Sequence, residues 1–208
     1  MKTFLIGLSG KSGSGKSTVG DYLSGAHGYE QFAFAGALKE VVGLAFGFSE
    51  EQLYGRQKEA VDPRWGKSPR WCMQWLGTEV LRACWPEIWI YHLRREILEF
   101  LSINGQRPVV VTDVRFRDEA EALKAMGGVL VRIERPGLRS AGETPAPTTP
   151  TAPAATGVPD HLSEIDLDGW EGWDYLIVNG GSLQNLAVRV EQILFIEADK
   201  AAGLPLAG

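Results

Sequence analysis

Residues 10–17 read Gly-Lys-Ser-Gly-Ser-Gly-Lys-Ser, a complete GxxxxGK[ST] pattern, directly after the apolar run Phe4-Leu5-Ile6-Gly7-Leu8. A short apolar run, a glycine-rich turn and then a helix with Val19, Tyr22 and Leu23 on one side leave the chain few ways to fold. Such a turn presents backbone N–H groups at a helix N-terminus, where they surround phosphate oxygens; a lysine reaches the outer oxygens and a hydroxyl ligates magnesium. The pattern predicts binding of a nucleoside triphosphate by Gly13, Ser14, Gly15, Lys16, Ser17 and Thr18. Lys16 would take the lysine role, and Ser17 would be the protein ligand to Mg2+.

Further apolar runs at 30–35, 108–112, 128–133 and 174–178 alternate with stretches of helical periodicity, the signature of a doubly wound α/β fold with a buried parallel sheet. Phe116, Ala120, Leu123 and Met126 mark one sheet-covering helix, and a second is expected from Ser182 onward. Between the second and third runs lie about seventy residues, far beyond the usual connection, and they read as several helices. Ser49-Glu50-Glu51-Gln52 supplies a capping box for one; Ile90, Leu93, Ile97 and Leu101 give another its stripe. The chain is therefore expected to be one domain, 1–208, with a helical insertion at 36–105. Residues 138–160, dense in Pro, Thr, Ala and Gly, form an expected flexible insertion without a core of its own.

The 208 residues are 44% hydrophobic, which suits one soluble domain. No stretch approaches the roughly 20 apolar residues of a membrane span, and no cleavable leader precedes the glycine-rich turn, so a cytoplasmic location without membrane partners is expected. A net charge of −5 argues against wholesale binding to nucleic acid. Cys72 and Cys84 are too few for a disulfide framework and read as reduced core thiols.

Val109-Val110-Val111-Thr112-Asp113 ends a buried strand with a carboxylate at the sheet edge where ligands bind. Asp113 and Arg115 flank Val114, so both polar side chains are expected to face one cleft, with Glu119 four residues on to pair with Arg115. Lys39, Arg56, Lys58, Arg64, Lys67 and Arg70 make the insertion locally basic, and arginine forks suit a monophosphate. Five tryptophans between Trp65 and Trp89 divide between core positions and a surface on which a base can stack. His161 reads as structural, and no His/Cys metal cluster or nucleophile elbow is present.

These stretches together resemble the deoxynucleoside monophosphate kinases of T-even bacteriophages and their phage relatives. The likeness runs through LIGLSGKSGSGKST, FAGALKE at 34–40, MQWLGTE at 73–79, the helix containing Trp89, TDVRFRDEAEALKAMGG at 112–128, RPG at 135–137, HLSE at 161–164 and IVNGGSL at 177–183. It implies a P-loop NTPase three-layer sandwich, a five-stranded parallel sheet with a helical acceptor-binding insertion. It also implies transfer of phosphate from ATP, with Mg2+, to a deoxynucleoside monophosphate for DNA synthesis, and a homodimer in the host cytoplasm. By resemblance the acceptor contacts fall on Lys39, Trp89, Asp113, Arg115 and Glu119, with Gln74 nearby and Arg64 through a looser match; Arg70 joins them from the basic cluster. Asn179 and Gly180 would lie by the donor adenine. Lys16, Arg115 and Asp113 would form the catalytic set, Asp113 serving either magnesium through water or acceptor orientation. Two departures from the phage pattern matter: the 138–160 insertion leaves any lid assignment open, and the shorter stretch from Phe48 to Pro69 leaves base preference open. A kinase of another small acceptor, such as dephospho-coenzyme A, and a non-catalytic ATP-binding switch are the competing expectations.

Overall fold

The computed structural model describes residues 5–137 and 161–203; the expected insertion at 138–160 lies outside the described residues. Five parallel strands, β1 (Leu5–Ser9), β2 (Glu30–Phe32), β3 (Val109–Val111), β4 (Val129–Glu134) and β5 (Tyr175–Val178), form one sheet in the order β2-β3-β1-β4-β5. Central β1 pairs on one side with β3, Leu5 opposite Val109, and on the other with β4, Ile6 opposite Val129.

Side chains alternate across the sheet and so build two cores. Leu5, Val109, Val111 and Leu130 face helices α2 (Ala35–Phe46), α5 (Ile88–Asn104) and α6 (Arg117–Ala125). Ile6, Leu8, Val110, Val131 and Ile133 face α1 (Lys16–His27) and α8 (Leu183–Ala202). Helices on both faces make a three-layer sandwich, and each fully buried aliphatic side chain contributes about 1.5–3 kcal/mol. Among the described residues, no helix is long and apolar enough to cross a membrane.

Between β2 and β3 the chain is helical. After α2, Ser49 starts α3 (Glu50–Leu53) with the capping box expected from its spacing with Gln52. A 3₁₀ turn at Arg56–Glu59 follows, then α4 (Pro69–Gln74), capped by Ser68 Oγ accepting from Trp71 N–H at 3.2 Å. α4 runs on into a π-helical segment, Trp75–Arg82, which falls on the MQWLGTE stretch. Wide π turns often mark functional sites. α5 buries Leu93 and Ile97 with Ile90 and Leu101 partly buried against the same core, as the stripe predicts, and Trp89 joins them.

Two expectations need correction. Cys72 is buried, but Cys84 is exposed rather than a core thiol. The second strand stops at Phe32 instead of 35, because the N–H groups of Phe34 and Ala35 turn away from the sheet onto the carboxylate of Asp113, at 2.7 and 3.0 Å.

Candidate active site

The glycine-rich turn follows central β1 and Asp113 and Arg115 follow β3, so both lie at the carboxyl edge of the sheet where the direction of connection reverses and ligands bind in such folds. The turn after β1 is closely packed. A Cβ on Gly10 would fall 2.2 Å from the carbonyl oxygen of Ile133, and one on Gly15, whose φ is 110°, would fall 2.5 Å from Asn179 Nδ2. Only glycine lets the backbone fold over itself here. Asn179 Nδ2 donates to the Ser14 carbonyl at 2.8 Å, tying the end of β5 to the turn.

Lys16 Nζ donates to the carbonyls of Gly10 at 2.5 Å and Lys11 at 2.9 Å. Burial pulls its pKa down to about 8, with the Arg115 charge adding to the shift and Glu164 and Asp113 opposing it. Lys16 is thus within electrostatic reach of the strand-end residues. The Ser14 hydroxyl is buried without a hydrogen-bond partner among the described residues, and those of Ser17 and Thr18 lie on exposed residues.

Next to the turn opens a cleft of about 630 Å³ between α2, α4, the π segment, α5 and the start of α6. Its apolar wall is Phe34, Leu38, Met73, Trp89 and Phe116, and its charged lining is Lys39, Lys58, Arg70, Arg115, Asp113, Glu119 and Glu164. Trp89 is held in that wall by its Nε1, which donates to the Gly77 carbonyl at 3.1 Å. Gly77 and Thr78 of the π segment and Gln74 of α4 complete that side.

The charged groups are held individually. Asp113 caps α2 through Phe34 and Ala35, which sets the direction from which Lys39, one turn later, enters the cleft. Lys39 Nζ lies 4.1 Å from the centre of the Tyr54 ring, and burial lowers its pKa while Asp113 opposes the change. Arg115 Nη1 donates to the Glu164 carboxylate and reaches the Ser163 carbonyl at 3.3 Å. Arg70 approaches the same Glu164 oxygen at 3.5 Å and is also paired with Glu59.

Sequence reasoning put Lys39, Arg70, Gln74, Trp89, Asp113, Arg115 and Glu119 in one group, and all seven line this cleft. Arg64 does not. Its Nε and Nη2 grip the Asp62 carboxylate at 2.9 and 2.7 Å, and Nη2 also reaches the Gly47 carbonyl at 3.2 Å, so it braces the insertion. Glu119 also departs from expectation. Its carboxylate accepts from the backbone N–H groups of Arg115 and Phe116 at 2.9 and 3.1 Å, closing the start of α6 instead of meeting the Arg115 guanidinium. Arg82, stacked 3.8 Å from the centre of the Phe116 ring, approaches Glu119 at 3.4 Å.

Thr78 and Glu164 were missed, and Lys58 was read only as one of the insertion's six basic residues. The signal for Glu164 was present in the HLSE stretch, but nothing in its spacing shows that it reaches two arginines far away in sequence. His161 caps α7 (Leu162–Ile165), accepting from Ser163 N–H at 3.2 Å. Asn179 and Gly180 line a separate cleft of about 590 Å³ with Gly181, Asn185 and Arg189, against the other flank of the glycine-rich turn.

No family model matches the chain. A protein of Acanthamoeba polyphaga mimivirus named as a deoxynucleotide monophosphate kinase is 35% identical over 191 residues, covering 86% of this chain and 90% of its own length. The chain belongs to the deoxynucleotide monophosphate kinase family. The kinase is also 29% identical over 128 residues to the deoxynucleotide monophosphate kinase of Escherichia phage RB69, a match spanning 61% of this chain and 45% of the phage enzyme. A solved structure from Thermus thermophilus superposes on the kinase along the full length of both chains, with a TM-score of 0.53 at 21% identity, and shares its fold.

Proposed function

We propose that this kinase transfers the γ-phosphoryl group of Mg-ATP to the 5′-phosphate of a deoxynucleoside monophosphate, giving ADP and the deoxynucleoside diphosphate. The observation that carries the proposal is the cleft beside the phosphate-binding turn. It has an apolar wall for a base and four cations, Lys39, Lys58, Arg70 and Arg115, at its charged end.

The donor side is read from the turn. Backbone N–H groups of residues 13–18 and Lys16 hold the β- and γ-phosphates, and the adenine lies toward Asn179 and Gly180. The buried, unpartnered Ser14 hydroxyl fits a turn built to receive an anion, and Ser17 at the first turn of α1 is the residue that would hold magnesium. A magnesium ion held there would supply positive charge against the donor phosphates.

On the acceptor side the monophosphate oxygen is already a nucleophile. It attacks the γ-phosphorus in line, the new O–P bond forms as the bond to the ADP oxygen breaks, and no side chain need remove a strongly held proton. The protein's share is positioning and charge neutralisation. Arg115, Arg70 and Lys39 bring the acceptor phosphate against the donor. Asp113 fixes the start of α2 and with it Lys39, while Trp89 and Phe116 hold the base. Before substrate arrives, Glu164 keeps both guanidinium groups turned into the cleft and offsets their mutual repulsion.

The test is phosphorus NMR of a mixture of the protein, Mg-ATP and one deoxynucleoside monophosphate at a time. Conversion of the acceptor singlet into the paired doublets of a diphosphate, in step with ADP, is the expected result. ADP with free phosphate and unchanged acceptor would overturn the proposal.

A further inference from the structure

Four cations line the acceptor cleft, and three are occupied. Arg115 is on Glu164, Arg70 is on Glu59 and Glu164, and Lys39 is over the Tyr54 ring. Lys58 differs. Half-buried in the 3₁₀ turn after α3, it lines the same cleft yet makes no hydrogen bond, ion pair or ring contact among the described residues.

Its position is built. Arg56 N–H donates to Glu51 Oε1 at 2.8 Å and Ala60 N–H to the Gln57 carbonyl at 3.0 Å, so both ends of the turn are fastened. Lys58 faces Arg70 from α4, Lys39 from α2 and Arg115 from the end of β3, with Glu59 from its own turn the counter-charge; Asp113, Glu119 and Glu164 also line the cleft. Burial, then those three cations in that order, press its pKa down to about 8. A cation held in this way gains most from an arriving anion, because the anion supplies a missing partner and offsets the repulsion of its neighbours.

We infer that Lys58 is an acceptor-phosphate ligand of this kinase, the cation on which the incoming monophosphate first settles without having to displace a carboxylate. This rests on the proposed monophosphate site and adds a residue that the sequence motifs leave unassigned, since Lys58 lies in the 48–69 stretch where the phage likeness is loosest.

The test compares wild type with Lys58→Met and Lys58→Arg in steady-state assays that vary the deoxynucleoside monophosphate and ATP separately. The Met change is expected to raise the acceptor KM about 10- to 100-fold, the usual weight of one charge-assisted bond, while the KM for ATP and the melting temperature stay near wild type. Arg should recover most of the loss. Inhibition by the matching deoxynucleoside, which lacks the phosphate, should be equal in wild type and Lys58→Met; an equal loss for both ligands would mean that Lys58 only shapes the cleft, and would overturn the inference. An unchanged acceptor KM in Lys58→Met would also overturn it, leaving the monophosphate reading intact. A wild-type protein that phosphorylates no monophosphate would remove that reading first and this inference with it.

Discussion

Lys11 Nζ, inside the glycine-rich turn, donates to the main-chain carbonyl of Glu164 at 2.5 Å. The same ammonium meets Asp168 at 2.8 Å. Glu164 in turn pairs by its side chain with Arg115 and Arg70. One short segment, residues 161–168, therefore touches the glycine-rich turn through its backbone and the cleft through the Glu164 carboxylate, so the two proposed substrate sites share a support.

Arg115→Ala is expected to lower kcat/KM for the acceptor about 100- to 1000-fold, the usual weight of a cation that stabilises charge in a phosphoryl-transfer transition state. Arg115→Lys should recover little, since a point charge cannot hold two phosphate oxygens at once as a planar guanidinium does. Glu164→Gln should cost about tenfold, because it leaves the arginines charged but less firmly aimed. Initial rates over a range of acceptor concentrations check all three.

Lys16 titrates near 8 in the free protein because burial disfavours its charge. kcat/KM for ATP should therefore fall as pH rises through about 8. Bound phosphates favour the charged lysine, so the fall in kcat should lie at higher pH. Coincident profiles for the two parameters would count against Lys16 as the donor-phosphate ligand.

Arg64→Ala should leave kcat/KM within about twofold of wild type, because its fork is spent on Asp62 outside the cleft. Stability should fall. Arg64 holds the Asp62 carboxyl well below the ordinary carboxylate range. That contribution is present above the unfolded pKa and is lost as pH falls through the folded one. Thermal melts of the variant at neutral pH, alongside acceptor kinetics, separate this bracing role from phosphate binding.

Burial pushes Glu119 from an ordinary 4.5 up to about 8, against the pull of the Arg115 and Phe116 N–H groups. Between those values the unfolded chain gives up its proton while the folded protein keeps it, so this group's contribution to stability declines as pH rises and is gone above about 8. Glu119→Gln keeps an acceptor for α6 and does not titrate. Urea unfolding at pH near 5 and near 8 should show wild type losing more than about 1 kcal/mol relative to the variant. Parallel losses would mean that Glu119 is already ionised at the lower pH.

The sheet was legible in the sequence because buried parallel strands write themselves as apolar runs, and the glycine-rich turn because its geometry admits few residue types. Ser49 and Ser182 fixed two helix starts through local hydrogen bonds that spacing alone reveals. Harder to read were the places where distant segments compete for one group. β2 ends early because Asp113, just past the end of β3, takes the N–H groups of Phe34 and Ala35. Glu119 serves the backbone of its own helix start rather than the nearest guanidinium. Arg64 and Arg70 look alike in sequence, yet Asp62 keeps one out of the cleft while Glu164 draws the other in. Such pairings depend on the tertiary path of a long insertion, which residue spacing does not encode.

The most direct measurement of the central claim is ADP formation from Mg-ATP in the presence of each deoxy- and ribonucleoside monophosphate in turn, for wild type, Lys16→Ala and Arg115→Ala. Expected is turnover that requires an added deoxynucleoside monophosphate and is lost in both variants. ADP formation at one rate whatever acceptor is added, or unaffected by loss of Arg115, would contradict it.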